Sequence, residues 1–134
     1  MNSITTSAVH HVTLTVTDVE RSMGFYTGLL GFQLAMMFGP RVILSNGQLV
    51  LALTSPPDPA QAPTNDQFNE NRVGLDHISL AVENRAVLET AAALFDAQGV
   101  SHGEIKDLGP DLAIYVLAFR DPDNIQLELT APHG

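Results

Sequence analysis

The chain has 134 residues, 45% hydrophobic and 16% charged, and it contains no cysteine and no tryptophan. That length suits one globular domain able to bury its own core without staples, and the missing cysteine excludes zinc fingers, iron–sulfur clusters, thiol nucleophiles and disulfide scaffolds. Six Lys+Arg against 15 Asp+Glu leave a formal charge of −9, the wrong sign for nucleic acid or an anionic membrane surface.

The opening residues, MNSITTSAVHH, have neither the positive nor the apolar stretch of a signal peptide. The longest apolar run, residues 112–119, is far short of the roughly 20 residues that span a bilayer. These features lead us to expect a cytoplasmic protein whose partner is a small molecule.

In chain order, His11-Val12-Thr13-Leu14-Thr15-Val16 alternates polar and apolar with period two, as a half-buried strand does. Thr17-Asp18-Val19-Glu20 has the form of a capping box, with Thr17 as the cap. Val19, Met23, Tyr26 and Leu30 then recur at helical spacing until Gly31. Strands are expected over 32–38, 41–45 and 48–54, the last two joined by an Asn46-Gly47 turn. Residues 55–74, with Pro56-Pro57-Asp58-Pro59, read as a linker or mobile loop.

The pattern then starts again. His77-Ile78-Ser79-Leu80-Ala81-Val82 repeats the first strand, and Asn84 caps a helix carrying Val87, Leu88, Ala91, Leu94 and Phe95 that ends at Gly99. Strands over 101–106, 112–119 and 125–130 follow, with Asp121-Pro122-Asp123-Asn124 turning between the last two. The expected organisation is a single α+β domain, 1–134, made of two tandem βαβββ modules, 9–54 and 75–131. A module of ~55 residues is marginal alone, so the two should pack with a cleft between their curved sheets.

This architecture, together with Phe25-Tyr26-Thr27-Gly28-Leu29-Leu30-Gly31-Phe32, Asp76-His77-Ile78-Ser79 and Asp121-Pro122-Asp123-Asn124-Ile125-Gln126-Leu127-Glu128, resembles the vicinal oxygen chelate superfamily. Glyoxalase I, extradiol dioxygenases, fosfomycin-resistance enzymes and bleomycin-binding proteins belong to it. The resemblance covers nearly everything from residue 9 to 131. It implies the glyoxalase-like fold, a homodimer, and a divalent metal used to chelate a small oxygenated substrate.

Strand parity places candidate ligands. If Val12, Leu14 and Val16 lie on a helix, then His11, Thr13 and Thr15 face the cleft, and likewise His77, Ser79 and Ala81. With Ile125, Leu127 and Leu129 in the core, Gln126, Glu128 and Thr130 turn inward. His11, His77 and Glu128 form a 2-His-1-carboxylate set, which leaves positions open for substrate or water. The resemblance puts the family's ligands at the same three positions. Fe(II), Mn(II), Ni(II), Co(II) and Zn(II) all suit such donors. His10 falls on the opposite face, where the second module has Asp76, and His102 and His133 are expected to be exposed without partners.

Departures from the family narrow the reaction. Ala52 stands where the first module would carry its own ligand glutamate, unlike glyoxalase I. Ala118 stands where dioxygenases and fosfomycin enzymes carry a tyrosine, and Tyr115 has the wrong parity to replace it. Few cations (Arg41, Lys106, Arg120) are expected near the cleft, too few for a phosphonate. Thr13, Val50, Ala52, Ser79 and Ala118 should line a small, mostly apolar pocket, favouring an uncharged or aromatic oxygenated substrate. No catalytic base is assigned, and no organic cofactor is expected. The alternative is a non-catalytic antibiotic-binding protein of the bleomycin-resistance type, whose cationic ligands the −9 charge suits. Phe25, Tyr26, Met36 and Met37 are expected to be core residues.

Overall fold

The computed structural model describes residues 2–134. It is an α+β structure with eight strands in two four-stranded sheets, plus helices. The chain forms two compact units, one ending at Thr64 and the other running Asn65–Gly134.

In the first unit, strand β1 (Val12–Thr15) leads to helix α1 (Val19–Leu29), then β2 (Gln33–Phe38), β3 (Arg41–Ser45) and β4 (Val50–Thr54). The sheet order is β1-β4-β3-β2, with β1 parallel to β4 and the other pairs antiparallel. Leu14 and Val16 are buried while Thr13 and Thr15 are exposed, so the period-two pattern sorts the faces as expected. The N-cap of α1 is Asp18, not Thr17. The Asp18 carboxylate accepts the Arg21 backbone N–H at 3.1 Å, and the Thr17 hydroxyl instead accepts from the Arg21 guanidinium at 2.7 Å. Gly31, at φ +74, turns the chain out of the helix, and the Asn46 side chain accepts from Gln48 and Leu49 to hold the β3–β4 turn.

Helix α1 packs on β3 and β4 and buries Tyr26 and Ser22 there, with Tyr26 edge-on to the buried Phe32. The edge strand β2 is left uncovered, with every residue exposed. Met36 and Met37, expected in the core, are therefore 53% and 63% exposed, and a bulge between Leu34 and Met36 interrupts the pairing to β3.

The second unit repeats the plan with β5 (Ile78–Ala81), α2 (Arg85–Gln98), β6 (Lys106–Asp107), a short helix α3 (Gly109–Leu112), β7 (Ile114–Arg120) and β8 (Gln126–Pro132). Its sheet order, β5-β8-β7-β6, again pairs the first and last strands in parallel. The Asn84 side chain caps α2 through the Val87 N–H, and Gly99 ends it in the left-handed region. Leu88 and Phe95 of α2 are buried, as are Leu117, Phe119, Leu127 and Leu129 of the sheet, and Phe95 stacks on Phe119 at 4.5 Å.

The strand expected over 101–106 shrinks to Lys106 and Asp107. Upstream of it, one bridge joins His102 to Phe119. Nor are His102 and His133 without partners. His102 Nε2 lies 2.6 Å from Asp96 and its Nδ1 lies 2.6 Å from the Gly103 carbonyl, while His133 Nε2 lies 2.7 Å from Asp107. The Asp96 carboxylate, followed by the Gly103 carbonyl, holds the His102 imidazole above its ordinary pKa. These side chains are 17% and 30% exposed.

Part of the loop expected to be mobile is fastened down. After a single 3-10 turn at Pro59–Gln61, the stretch belonging to the second unit is clipped to the β7–β8 end. Phe68 N–H donates to the Asp123 carbonyl at 3.0 Å, and Asn124 Nδ2 donates back to the Phe68 carbonyl at 3.0 Å. Arg120 grips both oxygens of Glu70 at 2.9 and 2.8 Å, the two-pronged geometry that fixes a guanidinium on a carboxylate. The β7–β8 turn is built on buried Asp121, whose carboxylate accepts the N–H groups of Asp123 and Ile125.

Two predictions follow from this packing. Ser22 is fully buried and its hydroxyl has no hydrogen-bond partner among the described residues. Ser22→Ala should therefore raise stability by about 0.5–1 kcal/mol in thermal unfolding, through better helix propensity and one fewer desolvated hydroxyl. The Arg120 hydrogen bonds pull Glu70 from 4.5 to about 2. A carboxyl depressed on folding stabilises fully above its unfolded pKa and loses that contribution as pH falls through the folded value. The gap in melting temperature between the natural chain and Glu70→Gln should hold steady down to pH 4.5 and close as pH approaches 2.

Candidate metal centre

His77 directly precedes β5, and Glu128 lies at the middle of β8. The parallel register pairs Ile78 with Leu127 and Ser79 with Glu128, so the two side chains project from neighbouring strands on the face away from α2. Leu127, Leu129 and Ala131 are buried on the helix side, whereas Gln126, Glu128 and Thr130 are half-buried on the other. His77 Nε2 stands 3.7 Å from Glu128 Oε1. Two donors each about 2.0–2.2 Å from one ion lie roughly 3–3.5 Å apart at right-angle to tetrahedral bond angles. The pair therefore suits a shared divalent ion after closing by a few tenths of an ångström.

Neighbouring groups occupy the remaining polar atoms. His77 Nδ1 lies 2.7 Å from Asp76 Oδ1. Gln126 Nε2 donates to the Asp76 carbonyl and to Asp76 Oδ1, both at 3.0 Å, while Gln126 Oε1 accepts from Arg120 Nη2 at 3.4 Å. On the other side the Thr130 hydroxyl donates to Glu128 Oε1 at 3.2 Å and is bonded in turn to the Ser79 hydroxyl. An ionised carboxylate can only accept. In a neutral ring the Asp76 contact places the proton on Nδ1 and the lone pair on Nε2, the nitrogen on the side of Glu128.

His11 belongs to the first unit, where it directly precedes β1 as His77 precedes β5. Its Nδ1 lies 2.9 Å from His10 Nδ1, the two rings edge-on. The residue before each histidine thus contacts its Nδ1. The register pairs Thr13 with Ala52 as it pairs Ser79 with Glu128, so Ala52 is the structural counterpart of Glu128 and offers no donor. Among the described residues, no group of three or more His, Asp or Glu side chains stands close enough together to hold a metal ion. The structure joins His77 to Glu128 and carries His11 on the other unit.

Of the residues expected to line a pocket, Thr13 and Ser79 are exposed, Val50 and Ala118 are half-buried and Ala52 is buried. Ala118 pairs directly with Glu128 across β7 and β8, so a tyrosine there would sit beside the Glu128 carboxylate. Tyr115 points the other way, against His133 and under the Arg85 guanidinium, 4.9 Å from its ring centre. Arg120 is committed to Glu70 rather than free. Sequence reasoning did not assign roles to Asp76, Gln126, Thr130 or Arg120. Gln126 and Thr130 were nonetheless legible as the inward-facing neighbours two residues either side of Glu128.

A model of the Glyoxalase/Bleomycin resistance protein/Dioxygenase superfamily matches residues 8–129. The uncharacterized protein YwkD of Bacillus subtilis is 30% identical over 129 residues, which are 91% of this chain and 94% of that protein. The crystal structure of a glyoxylase/bleomycin resistance protein/dioxygenase domain from Frankia sp. EAN1pec has a TM-score of 0.79 at 30% identity, covering 96% of this chain and 93% of that one. Lactoylglutathione lyase from Agrobacterium tumefaciens shares the fold with a TM-score of 0.71 at 20% identity, covering 94% of each chain. The repeated βαβββ plan thus has its explanation: the chain belongs to the glyoxalase/bleomycin resistance protein/dioxygenase superfamily.

Proposed function

We propose that this chain is a divalent-metal-dependent enzyme that binds a small substrate through neighbouring oxygens, with His11, His77 and Glu128 as the metal ligands. The observation that carries this reading is the His77–Glu128 pair, with Nε2 and Oε1 3.7 Å apart and the opposite nitrogen of the imidazole already engaged by Asp76. When bound, the ion would act as a Lewis acid, polarising substrate oxygens and stabilising a developing oxyanion or enolate. His11 completes the set from the corresponding position of the first module, and Ala52 leaves the ion without a fourth protein ligand.

The protein's own groups shape what binds. Ala118 beside Glu128 and Ala52 beside Thr13 are small and apolar, and the nearby Ser79, Thr130 and Gln126 side chains are polar but uncharged, a combination that favours an uncharged oxygenated molecule. With Arg120 held by Glu70, that cation is not free for a phosphonate or phosphate. The −9 charge also suits a non-catalytic protein that sequesters a cationic antibiotic, and such binding would need no metal. We further propose a cytoplasmic homodimer.

Metal uptake separates the two readings. Untagged protein reconstituted with Co(II) or Mn(II) should retain one ion per chain after desalting, and His77→Ala and Glu128→Gln should each weaken uptake by more than about a hundredfold. Natural chain that retains no ion, yet gains thermal stability from a cationic glycopeptide in EDTA, would overturn the enzyme reading in favour of sequestration.

A further inference from the structure

The hydrogen bonds around His77 have a direction, and it starts outside the ligand set. Arg120 is always a donor and cannot accept. Its Nη2 therefore faces the carbonyl end of the Gln126 amide, at 3.4 Å, which turns the amide N–H₂ toward Asp76. Arg120 is itself fixed by the two-pronged Glu70 contact and by the Asn124 carbonyl at 3.1 Å. The Asp76 carboxylate is thus held by an N–H₂ donor and presented to His77 Nδ1 at 2.7 Å. When the ring is neutral, a carboxylate receiving that nitrogen requires the proton on Nδ1 and leaves the lone pair on Nε2, the atom nearest Glu128.

We infer that Asp76 is a positioning residue for His77, and that the Glu70–Arg120–Gln126 chain orients Asp76 so that the imidazole presents an unprotonated Nε2. The inference rests on the metal-centre reading above for its purpose, although the tautomer itself exists without any ion. Three observations support it. Asp76 is 67% exposed, so nothing but these bonds orders its carboxylate. Glu128 Oε1 stands 3.7 Å from Nε2, beyond a hydrogen bond, so the 2.7 Å contact of Asp76 with Nδ1 is the one that orients the ring. In the other module His10 contacts the Nδ1 of His11 in the same way, so each candidate ligand has one nitrogen engaged by the residue before it.

The relay makes the loop part of the site. Glu70 lies in the segment that was expected to be a linker. It connects through Arg120 and Gln126 to the imidazole, so a change at residue 70 should be felt at His77 without touching it. Residues that hold a metal ligand by hydrogen bonds typically change metal affinity by about 10–100-fold.

Long-range proton–nitrogen correlation spectra of metal-free protein, at a pH where His77 is neutral, provide the test. The natural chain should show His77 protonated on Nδ1. Asp76→Ala should move the proton largely to Nε2, and Gln126→Leu should give a mixture, each at an unchanged melting temperature. Co(II) titrated into the same samples should bind Asp76→Ala about 10–100-fold more weakly than the natural chain. An Nε2–H form in the natural chain, or an Asp76→Ala spectrum with Nδ1–H retained, overturns the positioning role. Asp76→Ala with the expected tautomer change but undiminished Co(II) affinity overturns its link to the metal. If the natural chain has Nδ1–H and takes up no Co(II), the tautomer assignment is supported and the metal centre itself is overturned.

Discussion

Parallel pairing of the first and last strands of a module is the constraint on which the candidate site depends. A parallel pair cannot be closed by a tight turn, so a crossover of many residues must separate the two strands. In the second unit that crossover is α2 with β6, α3 and β7. It brings His77 beside Glu128. Register then does the rest. Shifting β5 by one residue along β8 would send Ile78 and Leu80 to the open face and His77 toward the helix. Burial of Leu127, Leu129 and Ala131 under α2 makes such a slip costly, and so the apolar core fixes the geometry of the polar pair.

Side-chain bonds refine what the backbone sets. Glu128 is bonded by Thr130 from its own strand, and His77 by Asp76 from the position before it. Both partners lie within two residues of the side chain they hold. The exception is the Glu70–Arg120 clip, which carries the course of the loop before β5 into the same network. Because Arg120 also donates to the Asn124 carbonyl, the β7–β8 turn, the loop and the candidate ligand share one cation.

Much of the fold was legible because period-two alternation and the repeat are local signals. His11 and His77 announce the same position in each module, and the parity of Leu127 and Leu129 settles the face of Glu128. Three kinds of feature were not legible. The choice of Asp18 over Thr17 as cap turns on where the Arg21 guanidinium goes, which a four-residue pattern does not contain. The exposure of Met36 and Met37 depends on how far α1 extends across its sheet, a matter of tertiary reach. The partners of Glu70, His102 and His133 are distant or cross a turn, and no propensity encodes a pairing of Glu70 with a residue 50 positions away. The candidate site divides along the same line: periodicity gives the face of Glu128 and of its neighbours Gln126 and Thr130, while the pairing of Asp76 with His77 and of Arg120 with Gln126 is not encoded there.

The pairing of Thr13 with Ala52, where the other module pairs Ser79 with Glu128, bears on charge. Two carboxylates on a divalent ion with neutral imidazoles would sum to zero and leave little pull on an incoming anion. With a methyl group in place of the second carboxylate, the proposed centre keeps one net positive charge. The chain that would hold it has a formal charge of −9. At such a centre an ionised hydroxyl or an enolate gains more than the neutral molecule from which it forms, so the asymmetry of the two modules would itself favour loss of a substrate proton.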